Sequence, residues 1–181
     1  SRSSAASDVY KRQLPAGVVI TAIGVKPETT LAVDAGLELG TTGGIKVNEF
    51  YQTSDPSIYA VGDVIEVPHL LTGKPTLLPL AGPAQRQARA AADHISGRGH
   101  KHGGVIGSSV VQVFDYTAAA TGLNEKAVKD AGIEYDYVYV IPGDSVGLMP
   151  SSQPLFFKLL FEVPSGRVLG APVSYTHLTL P

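Results

Sequence analysis

The residues best placed to do chemistry in this chain close the string Thr53-Ser54-Asp55-Pro56-Ser57-Ile58-Tyr59-Ala60-Val61-Gly62-Asp63. A short apolar run, 58–61, predicts a buried strand that stops at glycine, where the missing side chain lets a ligand approach the backbone. The carboxylate that follows stands at the strand's carboxyl end, the side on which ligands of open α/β folds bind. There it can accept hydrogen bonds from sugar hydroxyls, which suits a dinucleotide site. Taken alone, Gly62-Asp63 is far more often a plain turn. Other candidates are thinner. His100 and His102 flank one lysine in a glycine-rich run without nearby carboxylates, a poor donor set for a metal. His69 and His94 read as surface or packing residues. Arg86 and Arg89 can pair with phosphate or with a partner subunit, although an exposed arginine is usually just solvated. Cysteine is absent, so this segment holds no disulfide, thiolate nucleophile or thiolate metal ligand.

The elements that must position these residues follow from punctuation and periodicity. The β-branched run 17–23 predicts a buried strand closed by Gly24. Pro27 and Glu28 open a predicted helix through Ala35, ended by Gly36. Turns at 41–44 and 53–56 bracket a short strand over 45–47. Between 64 and 79 a hairpin or long loop is expected, with Thr72-Gly73-Lys74-Pro75 at its tip. The alanine-rich stretch 84–95 predicts the strongest helix, with Gly82-Pro83 at its start and Gly97 after its end. The polar, glycine-rich run 97–104 reads as a linker centred on 99–103. Beyond it the order changes to β-β-α-β-β-β: strands over 108–114 and 116–121, a helix over 125–131 capped by Asn124 and closed by Gly132, then strands over 135–141, 155–161 and 167–169. Pro164-Ser165-Gly166 makes the last tight turn. This order predicts an α+β unit with an antiparallel sheet.

The two ends of the chain carry a different kind of information. Residues 3–13 spell S-S-A-A-S-D-V-Y-K-R-Q and residues 173–181 spell V-S-Y-T-H-L-T-L-P. One DNA sequence encodes the first on one strand and the second on the other, and it resembles a transposase adapter used in preparing DNA for sequencing. Residues 1–13 and 173–181 are therefore set apart as adapter-derived tails, with Pro172 suspect because the adapter supplies part of its codon. The native segment is expected over 14–171, an internal piece of a longer protein. Without the tails the formal net charge moves from -2 to -4. No Lys/Arg cluster remains, which argues against a nucleic-acid partner. No apolar run approaches the roughly 18 residues of a membrane span, so no membrane association is expected.

The eleven-residue string resembles the second FAD motif of the pyridine nucleotide-disulfide oxidoreductase superfamily, the two-dinucleotide-binding flavoproteins. Leu77-Leu78-Pro79-Leu80-Ala81-Gly82-Pro83-Ala84-Gln85-Arg86-Gln87-Ala88-Arg89 and Thr121-Gly122-Leu123-Asn124-Glu125 resemble its branch of CoA-disulfide reductases, NADH oxidases and NADH peroxidases. The resemblance covers nearly all of 14–171, in order. It implies an α/β plus α+β fold: over 14–98 the end of an NAD(P)H domain and the C-terminal part of an FAD-binding domain, a linker at 99–103, then a truncated antiparallel-sheet dimerisation domain over 104–172.

The resemblance also implies roles. Asp63, after Gly62, matches the aspartate that binds the FAD ribityl chain. Ala22-Ile23-Gly24 matches the crossover from the NAD(P)H domain to the FAD domain, with Ile in place of the usual Thr. Pro79, Leu80 and Ala81 match the segment whose backbone faces the flavin pyrimidine edge, and the positive end of the following helix would favour negative charge on reduced flavin. Gln85 stands where the branch usually has Asn near a thiol substrate. The branch's Tyr-Tyr-Pro segment corresponds here to Leu148-Met149-Pro150, which leaves no phenol to steady a thiolate and puts CoA-disulfide reduction in doubt. Tyr116 is expected to be a packed strand tyrosine rather than a substitute.

The parent protein is thus expected to be a cytoplasmic, homodimeric enzyme, associating through 104–172. It would use FAD with NADH or NADPH to act on a thiol or disulfide, peroxide or oxygen as its small-molecule substrate. No catalytic residue and no metal ligand is expected in this segment, which by itself should be inactive. Two alternatives stay open: direct reduction of a protein or quinone without a redox cysteine, and a pure association module from Gly104 onward.

Overall fold

A computed structural model describes residues 4–7, 13–99, 101–150 and 152–176. The chain begins with β1 (Ser4–Ser7) paired antiparallel to β2 (Gln13–Ala16). Then follow α1 (Thr30–Asp34), β3 (Ile45–Lys46), a 3-10 turn at Gly62–Val64, β4 (Ile65–Pro68), β5 (Pro75–Thr76) and α2 (Ala81–Ile95). The second half is β6 (Ser108–Val113), β7 (Tyr116–Gly122), α3 (Glu125–Ala131), β8 (Tyr135–Val140), β9 (Leu155–Glu162) and β10 (Val168–Thr176).

Two sheets organise these elements beside the β1–β2 pair. In the small one, β3 runs parallel to β4, with Ile45 beside Ile65, and β5 returns antiparallel to β4. The strict alternation of β4 sends Ile65 and Val67 into a core with Ala32, Ile45, Tyr51, Ala60, Ala90 and Ala91. The second sheet is antiparallel, in the order β6-β7-β10-β9-β8, and confirms the mixed helix-and-sheet reading with an antiparallel C-terminal sheet. On it sits α3. The Asn124 side chain accepts from Ala127 N at 2.9 Å, Gly132 closes the helix with φ 73°, and Val128 is wholly buried against Leu123, Leu160 and Leu169. Contacts cross between the halves: Leu71 packs on this second core and Val105 on the first.

Several expected elements change. The run 17–23 forms no strand, and Val18, Ile20 and Ile23 are 80%, 86% and 90% exposed. β-branched composition supplies preference only, and among the described residues no strand lies alongside to complete a ladder. The expected strand 58–61 shrinks to one bridge, Gln52 with Tyr59, because Ile58 and Ala60 bond back onto 51–53. α1 starts at Thr30 rather than Pro27, since the Glu28 carboxylate takes the Thr30 N–H at 2.9 Å outside the helix. α2 starts at Ala81, earlier than expected, with Pro83 inside its first turn, where the missing N–H costs nothing.

The glycine-rich run is pinned at its ends rather than loose. His102 N bonds Glu49 O at 2.9 Å and Val105 N bonds Pro68 O at 3.0 Å. Gly104 has φ 126°, and a Cβ there would stand 2.5 Å from the Pro68 oxygen. β10 runs well past the expected 167–169, through Pro172 and into 173–176. Backbone pairing needs no particular side chain, and Val, Tyr and Thr suit a strand. Proline has no N–H, and the β9 ladder carries no pair between Gly170 and Val173.

Candidate functional site

The site is built around one glycine. Val61 is extended, and Gly62 turns the chain with φ 85°, a left-handed value that L side chains rarely adopt. The turn is fixed from α2: Gly62 N–H donates to Gln87 Oε1 at 2.7 Å, and Gln87 is only 2% exposed. Asp63 follows on the 3-10 turn with its carboxylate exposed and without a hydrogen bond or ion pair among the described residues.

The start of α2 supplies the second part. Leu80, at the N-cap, is extended and gives no side-chain cap. Ala84 N reaches Leu80 O at 3.1 Å, and Pro83 has no N–H, so Ala81 and Gly82 carry the helix's uncapped donors. Both residues are exposed, so a ligand can reach them.

Asp63 and Pro79, the latter two residues before α2, line a cleft of ≈ 550 Å³ with Gly24, Lys26, Val64 and Leu77, among others. Gly24 has φ 88° and open space where a Cβ would stand. The structure thus brings Gly24, Asp63 and Pro79 to one cleft, with Gly62, Leu80 and Ala81 next to them in the chain. Gln85 and Arg89 stay on the exposed face of α2 and do not line it. Arg86 Nε lies 3.4 Å from Gly82 O, and with Gln87 it borders a separate cavity of ≈ 460 Å³.

The histidines sort as packing groups. His94 stacks on Phe50 at 4.3 Å and its Nδ1 is 2.7 Å from Tyr59 Oη. His69 Nδ1 accepts from Leu71 N at 3.3 Å, and burial pushes its pKa down. His102 lies 5.4 Å from the Tyr51 ring. Among the described residues no group of three or more His, Cys, Asp or Glu could hold a metal; His100 is outside them. Tyr116 is not packed as expected but 65% exposed, at the end of the β6–β7 hairpin.

Three residues went unnoticed in the sequence. Gln87 is the lone polar member of the buried α2 stripe with Ala90 and Ala91, a signal that was available. Lys26 lines the cleft but stands in a stretch without pattern. Lys158 is buried, paired with Glu125 and 4.0 Å from the Tyr137 ring centre, and its place in Leu155-Phe156-Phe157-Lys158-Leu159-Leu160 marks it as unusual.

Comparison with known proteins gives the chain its family. The model of the pyridine nucleotide-disulphide oxidoreductase family matches residues 3–88, a span that holds the whole cleft and reaches into the stretch set apart as a tail. The NAD(P)H sulfur oxidoreductase (CoA-dependent) of Pyrococcus furiosus is 32% identical over 155 residues, covering 86% of this chain and 35% of that protein. The chain belongs to the pyridine nucleotide-disulphide oxidoreductase family. Among solved members, reduced CoADR-RHD from Bacillus anthracis superposes with a TM-score of 0.87 at 45% identity, covering 93% of this chain and 30% of that one. An FAD-dependent pyridine nucleotide-disulphide oxidoreductase from Desulfovibrio vulgaris gives 0.75 at 36% identity, covering 94% and 40%. The chain spans about a third of the length of these family members. No described helix is long and apolar enough to cross a membrane.

Proposed function

We propose that this chain supplies one wall of the FAD site, and the sheet region, of an NAD(P)H-oxidising enzyme acting on a thiol, disulfide, peroxide or oxygen. The observation that carries this reading is an exposed carboxylate, Asp63, lining one cleft with Pro79, which lies two residues before the uncapped start of α2. Their chemistry fits the two ends of a flavin-ribityl unit. Asp63 accepts hydrogen bonds from the polyol hydroxyls, which is worth about 1.5–3 kcal/mol for a charged acceptor. The Ala81 and Gly82 N–H groups, at the positive end of α2, face negative charge on the pyrimidine edge. Gly24 and Gly62 keep the backbone bare, and the Lys26 cation adds attraction for an anionic ligand. When bound, FAD supplies the electron-transfer chemistry, and the protein binds, orients and excludes water.

The P. furiosus protein is named an NAD(P)H sulfur oxidoreductase and the D. vulgaris protein an FAD-dependent pyridine nucleotide-disulphide oxidoreductase, and both names support the reading. The full-length protein that contains this segment should purify yellow and oxidise NADH or NADPH. A colourless protein that oxidises neither would overturn the proposal.

The same reading includes a homodimer formed through 104–172. What favours it is apolar surface: Phe114 and Leu148 are each 90% exposed, with Tyr116, Val146 and Met149 also open. Leu148-Met149-Pro150 offers no phenol, which favours acceptors other than a CoA disulfide.

A further inference from the structure

We propose that Gln87 is a positioning residue that ties the Asp63 turn to α2, so that the Asp63 carboxylate in the cleft and the helix start beside it keep one geometry. The inference rests on the flavin reading of the cleft and goes beyond it, because Gln87 lines a different cavity and not the cleft itself.

Four observations converge. Gln87 is 2% exposed, on the buried stripe of α2. Its Oε1 accepts the Gly62 N–H at 2.7 Å, shorter than the usual ~2.9–3.0 Å for such a bond. Gly62 sits in the left-handed region with φ 85°, where its orientation decides where Asp63 points. A Cβ built on Gly62 would stand 3.8 Å from the Ala84 Cβ, so the helix face lies directly against the turn.

No other bond to the Gly62 amide is formed among the described residues, and the turn has no side-chain cap of its own. Without Gln87, a half-buried N–H beside the helix would lose its partner, and the turn would sample other orientations. Among the described residues the Asp63 side chain makes no bond that could hold it. Its direction is therefore inherited from Gly62, and through Gln87 from α2, whose first turn bears the Ala81 and Gly82 donors. The chemistry asks for an acceptor oxygen at this length. Leucine matches the volume and removes the acceptor, whereas glutamate keeps it.

The test has two arms on different samples. In the 181-residue chain, amide hydrogen exchange is read by NMR at Gly62 and at the core residues Ile65 and Ala90. Gln87→Leu should speed exchange at Gly62 about tenfold or more and leave Ile65 and Ala90 unchanged, and Gln87→Glu should restore the Gly62 rate. In the full-length protein, Gln87→Leu should weaken FAD about tenfold and alter the flavin absorption band, with Gln87→Glu again rescuing both. Gly62 exchange unmoved by Gln87→Leu, or raised equally in the core, overturns the positioning role. So does a Gln87→Leu protein that holds FAD as tightly and with the same spectrum as wild type. A wild-type protein that binds no FAD overturns instead the flavin reading of the cleft, while the exchange arm still decides whether Gln87 holds the turn.

Discussion

Asp63 stands exposed and without a partner among the described residues, so the stability of the chain owes little to it, and the proposed ligand would owe it much. Asp63→Ala should leave the urea midpoint of the 181-residue chain within about 0.5 kcal/mol of wild type. In the full-length protein the same change should weaken FAD at least tenfold, read by fluorescence titration. His69 behaves in the opposite way, through stability. Burial lowers its folded pKa from 6.5, and its Nδ1 accepts a hydrogen bond that protonation would remove. Between the lowered folded value and 6.5 the unfolded chain binds more protons than the folded one, so stability rises with pH across that window and levels off above it. Urea midpoints measured through this range should show the rise, and His69→Gln should flatten it. At this scale the sequence was informative where a residue sits in a specific string. Asp63 was legible for that reason. Gln87 was passed over because one glutamine among alanines looks like helix filler until its burial is known. Tyr116 was misjudged because alternation along β7 does not say which sheet face has a cover.

Elements closed by local chemistry appeared where the sequence predicts them. α3 matches the expected bounds because Asn124 and Gly132 act within the chain's own neighbourhood. Asn124→Ala should cost about 1 kcal/mol, seen as a lower urea midpoint with unchanged slope. α3 has only seven residues, and Val128 anchors it on the second core, so the loss should also loosen Leu160 and Leu169. The hairpin of β4 and β5 was likewise legible from Thr72-Gly73-Lys74-Pro75, with Gly73 at φ 67°. Strands 17–23 and 58–61 were not, because a strand is completed by a neighbour and composition cannot supply one. The start of α2 was placed too late because Gly82-Pro83 reads as a breaker, although proline fits the first turn of a helix.

At the scale of the whole molecule, the chain joins the proposed wall of the FAD site to an antiparallel sheet. The mixed helix-and-sheet character and the β-β-α-β-β-β order of the antiparallel second half could be read from the sequence. The joining of Gly24 to Asp63 and Pro79 could not, since residues 24 and 63 are brought together only by packing. The chain contains no glycine-rich phosphate fingerprint, so binding of FAD by these 181 residues alone should be weak. Weak binding is still visible to NMR, which makes titration of the isolated chain with FAD the most direct measurement of the central claim. The account predicts concentration-dependent shifts in the amides of Gly24 to Glu28, Gly62 to Val64 and Leu77 to Gly82, abolished by Asp63→Ala. Shifts confined to α3 and the C-terminal sheet, or none at millimolar FAD, would contradict it.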